Sequence, residues 1–537
     1  MEFDILPGEA FYGGAVMDGI NQPYTQASER ELDLTRNQTP NQMMPLLLST
    51  AGRWVWNPDG MRILFRKGRI QCTDGTILGQ STGGLRQAYL GAMEHCFPLH
   101  EIRLDERLFS SPVYNTWIEL TFHQTQEGVL QYARAVLENG LPPGVLMIDD
   151  GWSDSYGRWH FSREKFYDPE GMLSELHRLG FTVMLWICPF ITPDTQEYRE
   201  LEQTGLLVTD RDGKSYISHW WNGWSAVLDM TQPAACSWLK RQLDALQAMG
   251  VDGFKFDAGD SVYYPADSVV AGDTHSKAWA AFGERYPLNE FRVTNGAGGW
   301  SLMQRLSDKE HSWGNTGLAA LIPNAIIQSL TGHPFLCPDM IGGGEYHNFY
   351  GQKVLDHELM VRWAQIACLM PVMQFSVAPW RILSAQDYAK VKQAVALRSR
   401  YMPLLRQALA QCRNTGEPVL RPMAYNFTEP ACARVTDQFM VGDKLLVAPI
   451  LEKGATRRTL SPRAAPRAER LWPIPTPVHT RTSPRTPSPF PPSRRRRLVP
   501  TDFSRPTVCR SCVTLTRCLL RRSSKRRRRR CSARTPD

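Results

Sequence analysis

The sequence predicts an α/β fold, a (β/α)8 TIM barrel with an N-terminal β-sandwich and a truncated C-terminal β domain. Three patterns predict it. Residues 1 to about 108 alternate apolar and polar side chains, residues 112–376 alternate apolar runs with amphipathic stretches, and strand-like runs return after a long helical segment. Strands and helices that alternate over about 260 residues indicate parallel βαβ units, and their number fits an eightfold barrel better than an open sheet.

These patterns divide the chain into four predicted segments. They are an N-terminal β-sandwich, the barrel, a helix with the start of a C-terminal β domain, and a disordered Pro- and Arg-rich tail, over residues 1–110, 111–385, 386–454 and 455–537.

The first segment is predicted to be antiparallel because its short runs end at Gly, Pro or Asn. The stretch "GRWVWNPDGMRILFRKGRIQ" (52–71) is typical of this pattern. We expect a sandwich whose first strands could precede Met1.

In the second segment, short apolar runs are the predicted barrel strands, and they are "TWIELTF", "GVLMIDD", "FTVMLWICPF", "DGFKFDA", "EFRVTN", "HPFLCPD" and "PVMQF". Between most of them lie amphipathic stretches such as "DPEGMLSELHRLG" and "QPAACSWLKRQLDALQAMG", which predict helices. The third segment reads as a helix followed by the strand-like runs "PVLRPMAYNF" and "QFMVGDKLLVAPI".

The tail is rich in Pro, Ser and Arg, as in "RRSSKRRRRRC", and such a composition cannot bury enough apolar surface to order itself. Three interpretations compete. The tail is a basic arm for nucleic acid, with "CRSC" (509–512) as a partial metal site, a disordered linker, or an out-of-frame translation of a G+C-rich gene. We favour the last because the β pattern stops in mid-strand after "LVAPILEKGATRRTL".

The formal charge of +9 misleads about the folded part. Residues 455–537 contain 23 Lys and Arg against 3 Asp and Glu, whereas the remainder contains 39 against 50. The body is therefore mildly acidic, and a nucleic-acid role would rest on the tail alone.

Cysteine usage and the N-terminus add two expectations. Eight of the twelve cysteines precede residue 455, scattered and without zinc-site spacing, so we expect buried free thiols and no metal. No basic region followed by an apolar core opens the chain, and no run of about 18 apolar residues occurs. These features predict a cytoplasmic protein without a membrane segment, an expectation that an upstream start site would change.

Acidic residues stand at or near the ends of several predicted strands. Asp149 and Asp150 end "VLMIDD", Asp257 ends "FKFD", Asp339 ends "FLCPD", and Asp308 lies just before "HSW". One such acid is usually a helix cap. Several on one rim of a barrel, where the βα loops gather, indicate a functional site. They suit glycosidic hydrolysis, in which one carboxylate attacks the anomeric carbon and a protonated one assists the leaving oxygen.

Tryptophan is abundant, with 16 residues, and it clusters near these acids. Indole rings suit the apolar faces of sugar rings, so Trp186, Trp220, Trp221 and Trp224 are candidates for substrate stacking. Core packing is the alternative for at least one residue of the "HWWNGW" cluster (219–224).

Longer motifs resemble glycoside hydrolase family 31, and the branch closest in wording is the myogenesis-regulating glycosidase group. The motifs span nearly the whole body in family order and include "LMIDDGW", "GFKFDAGD", "HPFLCPDMIGGG", "PVLRPM" and "KLLVAPILEKGA". The resemblance implies the three-domain architecture above. It also implies a retaining mechanism on α-linked sugars without a metal or organic cofactor.

The resemblance assigns the two catalytic roles. Asp257 matches the nucleophile, although the family commonly has Glu where Asp260 stands. The general acid/base of the family precedes an aromatic residue by five positions, which selects Asp308 before Trp313, although the flanking text lacks the usual "GDN". Asp339 is the alternative acid, and otherwise it shapes the subsite of the terminal sugar.

The resemblance also assigns residues that bind the sugar. Arg292 fits an arginine that holds sugar hydroxyls, and Asp149 and Asp150 match a position that contacts the non-reducing sugar. Lys255 stands where many members have Trp, and it could keep Asp257 ionised or bind a hydroxyl. A structural Lys–Asp pair is the alternative.

The strand end "MPVMQFS" lacks the histidine that many members carry there. Gln374 and Ser376 occupy that region. This departure, with Lys255, slightly favours galactosides over glucosides.

The predicted function is a retaining, exo-acting α-glycosidase. It would remove a terminal α-linked galactose or glucose from small saccharides through a covalent glycosyl-Asp intermediate, with self-association left open. One alternative is a sugar-binding or regulatory homologue without activity. A polyanion binder that uses the basic tail is less favoured, because the body offers no basic groove.

Overall fold

The computed structural model describes residues 1–351, 355–459 and 469–471. Nearly all of the predicted tail, including the segment interpreted as out of frame, lies outside the described residues. The domain boundaries predicted above remain predictions.

Two four-stranded antiparallel sheets form the N-terminal part, in the orders β1-β7-β6-β3 and β2-β4-β5-β8. Their strands are β1 (Glu2–Asp4), β2 (Phe11–Ala15), β3 (Arg30–Leu34), β4 (Met43–Ser49), β5 (Arg53–Trp56), β6 (Met61–Arg66), β7 (Arg69–Cys72) and β8 (Ile77–Gln80). Phe11, Leu47 and Val55 from one sheet pack against Ile63 and Phe65 from the other. This core confirms the predicted sandwich.

The following region alternates strands and helices through the barrel. Its elements are α1 (Leu85–Cys96), α2 (Arg107–Ser110), β9 (Val113–Asn115), α3 (Trp117–Leu120), α4 (Gln126–Glu138), β10 (Val145–Ile148), β11 (Ser153–Ser155), β12 (Arg158–Phe161), α5 (Pro169–Arg178), β13 (Thr182–Ile187), β14 (Phe190–Ile191), α6 (Gln196–Gln203), β15 (Ile217–Trp220), β16 (Gly223–Val227), α7 (Pro233–Met249), β17 (Gly253–Phe256), α8 (Gly272–Gly283), β18 (Asn289–Phe291), β19 (Gln304–Arg305), α9 (Leu321–Leu330), β20 (Leu336–Cys337), α10 (His357–Ala367), β21 (Gln374–Phe375), α11 (Pro379–Ile382) and α12 (Ala385–Thr415).

Eight of these strands form one parallel sheet in the order β20-β19-β18-β17-β13-β10-β9-β21. A parallel bridge between Met340 and Gln374 joins its two ends, so the sheet is a nearly closed barrel. The predicted TIM barrel is confirmed, and its functional face is expected at the carboxyl ends of the strands.

The helix limits follow from local sequence signals. The Asp168 carboxylate accepts a hydrogen bond from the Gly171 amide at 3.0 Å, and Pro169 opens α5. Gly250 ends α7 in the left-handed conformation with φ of 120°, which glycine adopts without a steric penalty.

One predicted barrel strand was wrong, and one strand of the barrel was not predicted. "TWIELTF" is not the first strand, because Val113–Asn115 forms it and the Asn115 side chain then accepts the Trp117 amide proton at 2.7 Å, which turns the chain into α3. The sixth strand, β19, was missed because Gln304 and Arg305 are polar, although both are buried.

A four-stranded sheet, in the order β22-β23-β24-β25, follows the barrel. Its elements are β22 (Leu420–Arg421), α13 (Met423–Asn426), β23 (Phe439–Val441), β24 (Leu445–Val447) and β25 (Glu469–Leu471). The C-terminal β domain is confirmed, although "PVLRPMAYNF" is a two-residue strand followed by a helical turn. Among the described helices, none is long and apolar enough to cross a membrane.

Candidate active site

A cavity of about 390 Å³ opens at the carboxyl ends of the barrel strands, within the size range of small-molecule sites. It gathers eight of the twelve predicted site residues, and these are Asp149, Asp150, Trp186, Trp221, Lys255, Asp257, Arg292 and Asp308. The other four, Trp220, Trp224, Asp339 and Gln374, do not line it.

Asp257 follows β17 and is held by cations and an indole. Its Oδ1 accepts a hydrogen bond from Arg292 Nε at 2.9 Å, and its Oδ2 accepts one from Trp186 Nε1 at 2.9 Å. Burial raises the pKa of this carboxyl, but the charges of Lys255, Arg292 and Arg305 outweigh burial and hold the pKa well below its usual range. Asp257 is therefore an ionised carboxylate on the cavity wall.

Lys255 is buried and links two acids. Its Nζ donates to Asp149 Oδ2 at 2.7 Å and lies 3.5 Å from Asp257 Oδ2. Positions 255 and 257 share a face of the strand, so both side chains project into the barrel. The ammonium group therefore compensates two carboxylates in a site where an unpaired charge would be costly.

Asp308 lies in the loop after β19, and its side chain is 40% exposed in the cavity. Arg305 Nη1 donates to Asp308 Oδ1 at 2.7 Å and to Asp339 Oδ1 at 2.6 Å. Desolvation raises the pKa of Asp308, but Arg305 and then Arg292 outweigh it and lower the pKa below its ordinary value. The substrate-free site thus favours the ionised form of Asp308.

Asp339, the alternative acid, is fully buried. Its Oδ2 accepts the amide protons of Lys309 at 2.8 Å and Gly344 at 2.9 Å. Burial raises its pKa to about 6 despite the charge of Arg305. This position suits the support of Arg305 and of the Asp308 loop, and a direct proton transfer to a bound ligand would need access that Asp339 lacks.

Asp150 lies on the cavity wall beside two hydrogen-bond donors. Its Oδ2 accepts from Asn222 Nδ2 at 2.7 Å and from the Tyr156 hydroxyl at 3.1 Å. Burial and the neighbouring Asp149 raise the pKa of Asp150 to about 7. This carboxyl can therefore accept or donate hydrogen bonds near neutral pH.

The tryptophan cluster divides along a β hairpin. Trp221 lies in the turn between β15 and β16 and faces the cavity, with the Arg292 guanidinium 5.1 Å from its ring. Trp220 is buried and stacks on Phe190 at 4.1 Å between ring centroids. Trp224 is 65% exposed and contacts His219. The two hairpin strands thus keep Trp220 in the core and Trp224 on the surface.

Gln374 supports the floor of the barrel. Its Nε2 donates to Glu290 Oε2 at 2.6 Å, and the Arg305 Nε atom lies 3.3 Å from Glu290 Oε1. All three side chains are buried, and of the three only Arg305 lines the cavity. Gln374 therefore acts on the cavity through Glu290 and Arg305.

Sequence reasoning missed several cavity residues. Asn222 stands inside "HWWNGW", which was singled out for its tryptophans, and Arg305 stands in a stretch before Asp308 that belongs to none of the motifs singled out. The N-terminal domain contributes Met17 and Pro40, which only the tertiary structure brings to the barrel. An aromatic group also lines the cavity, and it consists of Trp117, Phe122 and Tyr346. Within the described residues, no group of three or more His, Cys, Asp or Glu side chains is arranged to hold a metal ion.

Two family profiles match the chain. The TIM-barrel domain of the glycosyl hydrolases family 31 matches residues 113–408, and the C-terminal domain of that family matches residues 416–463. The first match alone covers more than half of the chain.

Curated relatives carry glycosidase names among others. The myogenesis-regulating glycosidase of Mus musculus is 34% identical over 65% of this chain and 51% of its own length. The SITS-binding protein of Tetronarce californica is 30% identical over 49% and 39%, and the α-xylosidase XylQ of Lactiplantibacillus pentosus is 26% identical over 63% and 47%. The chain therefore spans about half the length, or less, of these relatives.

Solved structures share the fold. A Flavobacterium johnsoniae GH31 dextranase complexed with glucose has a TM-score of 0.72 at 18% identity, over 85% of this chain and 61% of its own. A GH31 family sulfoquinovosidase from E. rectale has a TM-score of 0.71 at 15% identity, over 85% and 76%. With the profile match across the barrel, these similarities show that the chain belongs to glycoside hydrolase family 31.

Proposed function

We propose that this protein is a retaining, exo-acting α-glycosidase that removes a terminal α-linked hexose from small saccharides. The observation that carries the proposal is that Asp257 and Asp308 line one cavity and differ in their surroundings. Asp257 lies among three cations, whereas Asp308 has an exposed face and one short ion pair. Two carboxyl groups with distinct environments are what a double-displacement mechanism requires.

In the first step, Asp257 attacks the anomeric carbon while Asp308 donates its proton to the leaving glycosidic oxygen. The C–O bond to the aglycone breaks as the glycosyl–Asp257 ester forms. Lys255 and Arg292 suit this step because they keep the nucleophile ionised. A sugar that displaces water from around Asp308 would raise the pKa of this acid towards the protonated form.

In the second step, Asp308 acts as the base. It removes a proton from a water molecule that attacks the anomeric carbon of the glycosyl ester, and the bond from this carbon to the Asp257 oxygen breaks, so that Asp257 leaves as a carboxylate. Arg305, at 2.7 Å, favours the ionised form of Asp308 that this step uses.

The sugar hydroxyls would bind at the polar part of the cavity lining, which includes Asp149, Asp150 and Asn222. The Lys255–Asp149 pair and the buried Glu290–Arg305 pair close the floor beneath them. A closed floor accommodates one terminal sugar better than the middle of a chain, which supports exo action.

The choice of sugar rests on two residues and on the relatives. Lys255 beside the nucleophile, and Gln374 in place of a histidine, slightly favour an α-galactoside over an α-glucoside. Relatives named as α-glucosidase, α-xylosidase and sulfoquinovosidase show that members of this family differ in the sugar they act on.

The test is a panel of 4-nitrophenyl α-galactoside, α-glucoside and α-xyloside with the full chain. We expect turnover of a hexoside, with proton NMR showing the α anomer as the first product. A β anomer as the first product would exclude the double displacement. Absence of turnover on all three substrates would contradict the proposed hydrolase activity.

A sugar-binding protein without turnover is the second candidate. The Arg305–Asp308 ion pair favours it, because this pair opposes the protonated acid needed in the first step. Calorimetric binding of galactose or glucose without hydrolysis of the panel would support this candidate.

A further inference from the structure

Part of the cavity lining consists of three aromatic side chains in mutual contact, Trp117, Phe122 and Tyr346, which we call the aromatic wall. The Trp117 ring lies 5.2 Å from Phe122 at 89° and 5.3 Å from Tyr346 at 68° between centroids. Phe122 is 38% exposed although it is apolar. Edge-to-face packing fixes the rings against each other and leaves ring surface open to a ligand.

The loop that carries two of these rings is held in an unfavourable conformation. Thr121 has φ of 48°, in the left-handed region that a β-branched residue rarely adopts. Its amide donates to the Trp117 carbonyl at 2.8 Å, and the buried Gln124 side chain donates to the Thr121 carbonyl at 2.8 Å. Gln124 also accepts a hydrogen bond from the Thr116 hydroxyl at 2.7 Å. The loop therefore presents Phe122 in one fixed position.

The aromatic wall is next to the proposed acid. A Cβ atom added at Gly344 would lie 2.5 Å from Asp308 Oδ1, so this loop passes directly beside the carboxyl group. Tyr346 follows two residues later and lines the same cavity. The leaving group of a glycoside must contact the acid that protonates its oxygen, so it would lie beside Asp308 and the aromatic wall.

The rest of the lining has a different chemistry. Asp149, Asp150 and Lys255 offer charged groups, which match the hydroxyls of a terminal sugar. The aromatic wall instead offers ring faces and edges. The cavity therefore combines a polar lining with an aromatic one, and Asp257 and Asp308 line the same cavity.

We propose that the aromatic wall is the binding site for the leaving group, and that it selects glycosides whose aglycone is a ring with an apolar face. An aryl group and the C–H face of a pyranose both have this property, whereas a short alkyl group does not. This inference rests on the proposed function, because it takes Asp308 as the acid. It adds the class of aglycone that the enzyme prefers.

The test compares two substrates with the same glycone, one with a ring as leaving group and one without. The probes are phenyl α-galactoside and α-galactosyl fluoride, or the glucose pair if the panel selects glucose. For Phe122→Ala and Tyr346→Ala, we expect the ratio of kcat/KM for the phenyl substrate to that for the fluoride to fall about tenfold. Tyr167→Ala, at a 72% exposed residue outside the cavity, should keep the wild-type ratio.

A galactosyl-glucose disaccharide, or maltose for a glucosidase, tests in the same way whether the aromatic wall also binds a pyranose as the leaving group. If the ratio of kcat/KM to that of the fluoride falls only for the phenyl substrate, the aromatic wall binds aryl groups. If the ratio falls for both the phenyl substrate and the disaccharide, the aromatic wall binds ring faces in general. Ratios that stay within twofold of wild type in both variants overturn the proposal.

Failure of the proposed function has a separate signature, because the wild-type protein would then hydrolyse neither the fluoride nor the phenyl substrate. In that case, calorimetry tests whether the aromatic wall binds a ring. Tighter binding of phenyl than of methyl α-galactoside that disappears in Phe122→Ala supports the site, and equal binding overturns it.

Discussion

At the scale of single residues, a small number of cations forms ion pairs with a larger number of acids in and around the cavity. Lys255 contacts Asp149 and Asp257, and Arg305 contacts Asp308, Asp339 and Glu290. Burial raises the pKa of Asp339 and of Glu290 despite the charge of Arg305, whereas the cations around Asp257 and Asp308 hold the pKa of each below its ordinary value. The environment of each acid therefore determines its chemistry.

Replacing the nucleophile tests the first role. Asp257→Asn should lower kcat by about a thousandfold or more, because an amide cannot form the glycosyl ester. Thermal unfolding should show a folded protein, and Asp212→Asn, in an exposed turn, should retain activity. A folded Asp257→Asn protein with wild-type turnover would exclude this residue.

Replacing the acid tests the second role through the leaving group. Asp308→Asn should reduce kcat/KM on a disaccharide by about 10² to 10⁴, because its leaving oxygen needs a proton. The loss should be much smaller on a glycosyl fluoride, whose leaving group needs little protonation. Full activity on the disaccharide would make the assignment wrong.

The raised pKa of Asp150 predicts a pH-dependent stability. The folded-state pKa is about 7, whereas an unfolded Asp has a pKa of about 3.9. The folded state holds the proton more tightly, so this contribution is present below about pH 4 and is lost as the pH rises through 7. In Asp150→Asn, the side chain at position 150 is neutral at all pH values.

Chemical denaturation at pH 4.5 and pH 8 measures this effect. The free energy of unfolding of Asp150→Asn, relative to wild type, should increase by roughly 2 to 4 kcal/mol between these pH values. Asp59→Asn, at an exposed position, serves as the control. An equal difference at both pH values would contradict the shifted pKa.

At the scale of elements, the sequence predicted those strands that consist of buried apolar residues. Thr182–Ile187 is a continuous run of buried residues, and its pattern indicated a buried parallel strand. Gln304–Arg305 is a strand with a polar sequence, because Arg305 is paired inside the barrel with acids from other strands. Such strands cannot be identified from hydrophobicity, since their polar groups are satisfied only by residues distant in sequence.

The same reasoning explains which site residues were predicted. The acids at strand ends were found because parallel strands end on one rim. Trp220 and Trp224 do not line the cavity, and the sequence could not separate them from Trp221, because only the hairpin divides the three into core, cavity and surface. Arg305 belongs to the polar strand β19, and Phe122 and Tyr346 lie in connections between barrel elements whose conformations the sequence does not specify locally.

The loop that carries Asp308 is tied to α10 by Asp356. Asp356 caps α10 through the Leu359 amide at 3.2 Å, and its Oδ2 accepts from Trp313 Nε1 at 2.9 Å and Lys453 Nζ at 2.6 Å. Asp356→Ala should lower the free energy of unfolding by about 2 kcal/mol and reduce kcat severalfold. Denaturation and steady-state kinetics measure the two effects.

Lys453→Met is the matched control for this prediction. It removes one exposed partner of Asp356 and should change stability and kcat much less than Asp356→Ala does, because solvent screens an exposed ion pair. If Asp356→Ala matched Lys453→Met in both stability and kcat, the tie to the loop would have no influence on the acid.

At the scale of the whole molecule, the proposed site lies entirely within residues 1–474, and the strongly basic residues lie beyond it. Residues 475–537 carry 18 Lys and Arg against 2 Asp and Glu. Removing them should leave kcat/KM within about twofold and make the protein bind an anion exchanger at neutral pH. Heparin binding with its salt dependence tests the polyanion alternative, which requires that the binding disappear with these residues.

The N-terminal sandwich also shapes this site, because Met17 and Pro40 form part of the cavity wall and Arg292 donates to the Pro40 carbonyl at 3.0 Å. During synthesis, these residues leave the ribosome roughly 300 residues before Gly344. At a synthesis rate of about 5 to 20 residues per second, roughly 15 to 60 s pass between the synthesis of the sandwich and that of the barrel segment that covers its apolar side. Translation speed and chaperone supply should therefore govern the yield of active protein more strongly than they would for an isolated barrel.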